Sequence, residues 1–263
     1  MTTNFQEAVL NLVKQIPRGR VTTYGTIAKE ITGSVRAARA VGHVVAKNQY
    51  PIIIPCHRVV RSSGDVGGYN LGVDKKIKLL SAEGLEIKGT KVLKFEKTLF
   101  LFDKFVADRM LGKLSTWLRM LGHDTVYAAD VKPTGDDEDK ALAALAEHEA
   151  RILLTRDKNL AAVAMKKGIA CVPIKTDDTI EQLKELLRHD ININLEPVPI
   201  RCSDCNARLR KVEKREADML REKGYVPTSM IGKWQFWICE RCGRVYWEGS
   251  HWRNMRDRLR LLG

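Results

Sequence analysis

The chain has 263 residues, 44% of them hydrophobic and 29% charged, with 19 Gly and 8 Pro. That length exceeds one average domain, and the composition excludes a collagen-like, low-complexity or wholly disordered chain. The formal charge of +13 is uneven: residues 1–100 carry +9, residues 101–195 carry −2 and residues 196–263 carry +6.

Basic ends suit a polyanion such as nucleic acid, because each neutralised phosphate releases counterions, although basicity also serves solubility alone. The acidic middle suits a divalent cation. No stretch approaches the roughly 18 apolar residues of a membrane helix, and the amino end lacks the basic-then-apolar layout of a secretory signal. A cytoplasmic protein without a membrane partner is expected. Four of the six cysteines fall into two C-x-x-C pairs, which in a reducing compartment favours metal over disulfides.

Residues 22–31 place a hydroxyl N-cap candidate before an apolar-periodic run, and Gly33-Ser34 restarts a second helix at Val35. Two short helices joined by a glycine-containing turn form either a helix-turn-helix or an ordinary helical hairpin. The second helix carries Arg36 and Arg39 among alanines, so it can approach a groove closely. Residues 51–60 read as a buried apolar strand, flanked by prolines, that ends on Cys56-His57-Arg58. An adjacent imidazole and cationic surroundings can turn a thiol into a nucleophile, but a Cys-His pair is also commonly structural. Residues 87–95 alternate as a strand, and a domain boundary is expected near residue 99.

The order of these residues carries a resemblance. Pro55-Cys56-His57-Arg58-Val59 is preceded by Arg36-Ala-Ala-Arg39-Ala-Val-Gly42 and Asn48, and followed by Ser63-Gly64, Gly67-Gly68-Tyr69 and Glu83-Gly84. Over residues 3–97 this pattern resembles the catalytic domain of O6-alkylguanine-DNA alkyltransferases, the methylated-DNA–protein-cysteine methyltransferases. The resemblance implies a helix-turn-helix, winged-helix-like domain, here 1–98, acting on double-stranded DNA that carries alkylated guanine. It implies Cys56 as alkyl acceptor, His57 as a base acting through a water, Glu83 as the group orienting His57, and Asn48 as a brace. Tyr24 and Arg39 take the places of the nucleotide-flipping tyrosine and the arginine finger. Arg36 and Arg58 join them as DNA contacts, and Tyr69 lies on the loop that closes over the extruded base. The transfer is expected once per molecule and without a cofactor. The alkyltransferase-like proteins, which flag lesions for other repair factors, lack the cysteine that this chain has. His43, Gly68 and Asn70 depart from the family pattern, and the amino-terminal domain that many members carry is expected to be missing.

From residue 103 the pattern alternates: strands at 105–108, 125–128, 151–155 and 170–174, helices at 110–121, 139–150, 159–166 and 179–189. That alternation implies an α/β domain with a parallel sheet, placed at 103–195. Asp108 and Asp157 then end neighbouring strands, with the acidic run 136–139 between them in sequence. Such carboxylates either hold Mg2+ or Mn2+ or merely cap helices. Cys171, on an apolar strand, is expected in the core. After a turn-rich stretch at 192–199, Cys202/Cys205 and Cys239/Cys242 give the ligand set of a tetrahedral structural Zn2+ in a ribbon placed at 196–263. Tyr246, Trp247, His251 and Trp252 are interleaved with arginines, and either bind RNA or another single-stranded nucleic acid or pack the ribbon onto its neighbour.

Residues 103–259 resemble the PIN-type RNase domain with zinc ribbon found in mutator-type exoribonucleases. The resemblance rests on Asp108-Arg-Met-Leu-Gly-Lys-Leu, on Leu153-Leu-Thr-Arg-Asp157 and on residues 243–252. It implies Asp108, Asp139 and Asp157 as metal-holding acids, with Asp137 as an alternative to Asp139.

Overall fold

The computed structural model describes residues 4–131, 137–189, 191, 193 and 195–262. Asp136 of the acidic run, and Asn192 and Asn194 of the turn-rich stretch, lie outside them. The chain divides into two compact units, Met1–Phe102 and Asp103–Gly263, so the cysteine ribbon clusters with the sheet that precedes it. Among the described residues, no helix is long and apolar enough to cross a membrane.

The first unit starts with α1 (Asn4–Lys14), which packs on α2 (Tyr24–Thr32) and α3 (Ala38–Ala46). Thr23, closing the two-residue β1 (Thr22–Thr23), caps α2 by accepting from Thr26 N at 3.0 Å. Gly33, at φ 74°, ends α2 in the left-handed conformation that glycine adopts without steric cost. Ser34 then caps a 3-10 turn, Val35–Ala37, that leads into α3. The expected two-helix element is therefore present, its turn set by a glycine and a serine.

The expected strand at 51–60 is not. Residues 51–54 turn back on themselves, Ile54 N donating to Tyr50 O at 2.9 Å, and Ile53 is 77% exposed. Pro51 and Pro55 bring fixed φ and no N–H, which breaks a strand ladder. Ile52 sits at φ 81°, a strained region for a β-branched side chain that costs about 1–3 kcal/mol. Only β2 (Val59–Val60) is extended, pairing in parallel with β1. Next come α4 (Val73–Ala82), then β3 (Ile87–Lys88) and β4 (Lys91–Val92), then α5 (Phe95–Thr98). The single strand expected at 87–95 is thus a hairpin and a helical turn, folded back at Gly89 with φ 62°. Beyond the expected boundary, Phe100 N still donates to Val21 O at 2.6 Å, which keeps 99–102 with the first unit.

The second unit is a four-stranded parallel sheet: β5 (Lys104–Ala107), β6 (Asp124–Tyr127), β7 (Ile152–Thr155) and β8 (Cys171–Pro173), ordered β6-β5-β7-β8. Its helices are α6 (Gly112–Met120), α7 (Glu138–His148), α8 (Lys158–Lys166) and α9 (Thr179–Arg188). Side chains alternate along the strands: Phe105, Ala107 and Leu154 pack with α6 and α9, whereas Val106 and Leu153 pack with α7 and α8. The first crossover runs from β5 outward to β6 and the second returns past β5 to β7, so the strand order reverses between β5 and β7. The crevice at the carboxyl ends of such strands is where open α/β sheets bind ligands.

The ribbon follows: β9 (Leu209–Lys211), α10 (Ala217–Arg221), β10 (Phe236–Cys239) and β11 (Val245–Trp247), an antiparallel sheet with β10 central. Finally α11 (Ser250–Leu259) returns Met255 and Leu259 to the core of the parallel sheet. Buried ions join these layers. Asp124 accepts from Arg151 (2.8 Å), Arg201 (3.0 Å) and Asn206 (2.8 Å). Burial alone would raise its pKa, but these partners hold it down at about 2.

His123 is buried edge-on against Phe105, and burial pushes its pKa from 6.5 down to about 4. It is neutral when folded and binds a proton more readily when unfolded, so its contribution is full above pH 6.5 and is lost as the pH falls toward 4. All five tryptophans lie in this unit. The urea midpoint read from their fluorescence should drop across that pH window, and His123→Gln should flatten the drop. An equally steep drop in the variant would assign it to other groups.

Candidate functional site

The turn at 51–54 delivers Cys56 into a 3-10 turn, Cys56–Arg58, where it is 1% exposed. Asn48, at the end of the α3 segment, donates to Ile54 O at 3.0 Å and to Cys56 Sγ at 3.1 Å, and accepts from Tyr50 N at 3.0 Å. One amide therefore holds both the strained turn and the sulfur. His57 meets Glu83 through Nε2 at 3.0 Å, and its Nδ1 is buried with no hydrogen-bond partner among the described residues. Burial pushes the His57 pKa down, against the pull of Glu83, which favours the neutral imidazole.

Burial would raise the Glu83 carboxyl, yet hydrogen bonds from Arg58 and His57 outweigh it and hold it below its ordinary value. Arg58 Nε lies 3.1 and 3.0 Å from the two Glu83 oxygens, a terminal nitrogen donates to Oε1 at 2.7 Å, and the other donates to Ile16 O at 2.6 Å. Arg58, expected as a DNA contact, thus makes bonds inside the fold from each of its three side-chain nitrogens. Gly19 N reaches Glu83 Oε2 at 3.4 Å, and a Cβ there would lie 3.1 Å from Glu83 O.

Arg36 and Arg39 are exposed, with no acidic partner among the described residues. A pocket of about 700 Å3 runs along the two-helix element between Tyr24, Lys29, Val35, Arg61 and Leu101. Tyr24 links this pocket to the cysteine: its pKa is raised by burial and by the nearby Cys56 sulfur. Tyr69 lies edge-on to His57 (6.4 Å), and burial together with the adjacent Cys56 pushes its phenol up to about 12. Asn70 donates to Asn48 O at 3.1 Å, tying the Tyr69 loop to the amide that holds Cys56.

Sequence reasoning missed Lys76. It is 0% exposed, and its Nζ donates to Val59 O at 2.7 Å and Gly68 O at 3.3 Å, with no carboxylate partner among the described residues. Burial lowers its pKa to about 8, against the opposing pull of Cys56. The signal was available, since Lys76 and Leu80 share the buried face of α4 at i,i+4 spacing.

In the second unit the acids gather loosely at the carboxyl ends of β5 and β7. Asp108 Oδ2 accepts from Thr155 Oγ1 at 2.5 Å and Arg156 N at 2.6 Å, and Oδ1 from Met110 N at 2.9 Å. Asp157 caps α8 through Asn159 N (2.6 Å) and Leu160 N (3.0 Å). Asp137 caps α7 and pairs with Lys140, while Arg109 engages Glu138. Asp139 is the acid of the run that faces the others: burial, then Asp157, Asp137, Glu138 and Asp108 push its pKa up. Among the described residues, these carboxylates do not converge as tightly as the four cysteines do. Cys171 is half-buried on β8, and burial pushes its pKa to about 11, which suits a packed thiol.

Cys202, Cys205, Cys239 and Cys242 bring their sulfurs within 4.8 Å of one another, a cluster that could hold a zinc ion. Sulfur pairs lie 3.5 Å (Cys202–Cys242) and 3.4 Å (Cys205–Cys239) apart, compatible with tetrahedral Zn–S bonds of about 2.3 Å. Tyr246 Oη sits 3.0 Å from Cys202 Sγ and accepts from Ser203 N at 3.1 Å. Arg119, buried in α6, donates to Ser203 O (3.1 Å), Asp204 O (2.6 Å), Thr125 O (2.8 Å) and Asp130 (2.6 Å). The aromatic tail is largely packing: Tyr246 serves the thiol cluster, Trp247 stacks on Tyr225, and Trp252 is buried, leaving His251 exposed.

A parallel-sheet unit with an acidic crevice and a four-cysteine ribbon defines one half of the chain, and a two-helix unit with a braced buried cysteine defines the other. Residues 103–259 match the Mut7-C RNAse domain family, to which the chain belongs. Residues 4–85 match the DNA-binding domain of 6-O-methylguanine DNA methyltransferases, so the chain joins these two modules. A bifunctional methyltransferase/endonuclease of Picrophilus torridus is 36% identical over 133 residues, covering 51% of this chain and 42% of the relative. A methylated-DNA–protein-cysteine methyltransferase of Methanothermobacter thermautotrophicus is 44% identical over 87 residues, covering 33% and 48%. The chain thus spans less than half the length of either relative. The crystal structure of Mycobacterium tuberculosis OGT in complex with DNA aligns at 43% identity over 32% of this chain and 51% of that one, with a TM-score of 0.30.

Removing the Glu83 carboxylate leaves the half-buried Arg58 guanidinium without its counter-ion. Glu83→Ala is expected to destabilise the first unit by about 3–5 kcal/mol. Hydrogen exchange should show protection lost in α4 and β2, and undiminished protection there would mean that the clamp holds nothing.

Proposed function

We propose that the first unit repairs DNA by moving an alkyl group from O6 of guanine to Cys56, irreversibly and once per molecule. The observation that carries this reading is the buried Cys56 thiol, fixed by Asn48 beside a neutral His57 that Glu83 orients. The thiol proton passes through a water to His57. The sulfur then bonds the alkyl carbon, the carbon–O6 bond breaks, and its electron pair leaves on guanine, which takes up a proton. Transfer needs no cofactor, and its product is a thioether. The buried Lys76 cation supports the thiolate during attack.

In this reading the winged-helix-like two-helix element enters double-stranded DNA. Arg39 fills the space left by the flipped nucleotide, Tyr24 turns that nucleotide out, and Arg36 holds the backbone. Because Cys56 is almost fully enclosed, the loop bearing Tyr69 and Asn70 must shift to admit the base. A protein that only flags lesions would have no use for a thiol so held.

The second unit is read as a PIN-like, metal-dependent ribonuclease. Asp108, Asp139 and Asp157 would hold Mg2+ or Mn2+, which activates a water and neutralises charge on a phosphodiester. Asp137 is engaged by its own helix and by Lys140, which favours Asp139. The cysteine cluster would hold Zn2+ structurally, since four sulfurs leave no open position. The competing reading, a binding module without hydrolysis, draws on the capping bonds already made by Asp108, Asp137 and Asp157.

Incubation with a duplex carrying O6-methylguanine should raise the mass of the Cys56 peptide by one methyl group. An unshifted peptide with the lesion intact would overturn the repair reading. Lys76→Met should slow the transfer about tenfold, the equivalent of one pKa unit of lost charge stabilisation; a rate equal to the parent's would remove Lys76 from the mechanism. In the second unit, Mn2+-dependent RNA cleavage should vanish in the Asp108→Asn, Asp157→Asn double variant, and its persistence would place the activity elsewhere.

A further inference from the structure

A smaller pocket on the ribbon, about 270 Å3, is lined by Trp234, Glu248, Gly249, Trp252, Arg253 and Arg256. Nothing in the alkyl-transfer site or the acidic crevice uses it. Of the five tryptophans, four are committed to packing. Trp117, Trp237 and Trp252 are buried, and Trp247 lies between Tyr225 and Phe236. Trp234 is 39% exposed, presented by a turn that Gly232 permits at φ 86°, with Trp234 N anchored on Met230 O at 2.9 Å. A large, partly exposed aromatic ring beside charged groups is the arrangement found where a flat partner stacks.

The charges define that partner. Arg253 is exposed, with no acidic partner among the described residues, and Arg256 follows it at i,i+3 on α11, paired to Glu196 at 3.3 Å. Glu248 adds an acceptor to the lining. A ring face, two guanidinium groups and one carboxylate match a base, its phosphate and the N–H edge of that base. The volume lies below the range of about 300–1,000 Å3 typical of drug-sized ligands, which suits one unpaired base and not a base pair. Gly249, which also lines the pocket, packs close on Trp247: a Cβ there would lie 2.7 Å from Trp247 Nε1.

We propose that this pocket binds one nucleotide of single-stranded RNA, the base stacked on Trp234 and the phosphate held by Arg253 and Arg256. The proposal deepens the ribonuclease reading and rests on it for the choice of RNA, so its test measures binding and not cleavage. The test uses the full chain with Asp108→Asn and Asp157→Asn, and a fluorescein-labelled oligoadenylate of about ten nucleotides read by anisotropy. Trp234→Ala should weaken binding about tenfold, and Trp234→Phe, which keeps a ring, should restore most of it. Arg253→Ala should weaken binding and lower the salt dependence by about one phosphate contact. A blunt RNA duplex should bind equally to all variants. Affinity within twofold of the parent in both Trp234→Ala and Arg253→Ala overturns the pocket, as does an equal loss for the duplex. Tighter binding of single-stranded DNA of the same sequence overturns the choice of RNA. Failure of the unsubstituted chain to cleave RNA in Mn2+, with the binding differences intact, would strike the ribonuclease reading and leave the pocket standing.

Discussion

A carboxylate taken out of water must be met by donors arranged to receive it, and the first unit is organised around one such acid, Glu83. Its oxygens draw in His57 from the cysteine turn, both the Nε and a terminal nitrogen of Arg58, and Gly19 N from the loop after α1. Arg58 in turn reaches Ile16 O. Two separated stretches of chain, 16–19 and 57–58, are therefore fixed relative to one anion. The turn that carries Cys56, including a strained Ile52, is held between this clamp and the Asn48 amide. Local strain of that kind persists where the surroundings over-determine it, as they do beside the sulfur.

The second unit solves a different problem with the same chemistry. Asp108, Asp157 and Asp137 sit where helices begin, and for Asp108 and Asp157 the capping bonds and the place at a strand end are consequences of one topology. Capping satisfies backbone N–H groups that would otherwise be orphaned, and burial, followed by the neighbouring carboxylates, raises the pKa of Asp139. An acid such as Asp157, with one oxygen engaged in capping, retains a second oxygen for another partner.

Much of this organisation was legible in the sequence. The alternation of strands and helices from residue 103 locates all four parallel strands, because each short apolar run is followed by a helical pattern. Thr23, Gly33 and Ser34 mark the two-helix element for the same local reason. The failures were non-local. Residues 51–60 look like a strand in composition, but two prolines and the reach of Asn48 make them a turn. Arg58 looks like a surface cation until Glu83, 25 residues later, is folded against it. Lys76 was overlooked because charge usually signals exposure, and Trp234 because its neighbours in sequence carry no aromatic or basic run as dense as that at 244–260. Tyr246, Trp247 and Trp252, which do belong to that run, proved to be packing residues.

The four bonds of Arg119 make the ribbon an integral wall of the sheet unit and not a pendant module. Two of its acceptors lie between the first two cysteines, one is in β6, and the last is Asp130, just before the acidic segment. A single planar cation thus spans from the thiolate knuckle to the approach of the carboxylate crevice. Evolution cannot exchange or discard the ribbon by recombination near residue 196 without stranding a buried guanidinium, so the two parts are expected to travel through genomes as one inherited piece.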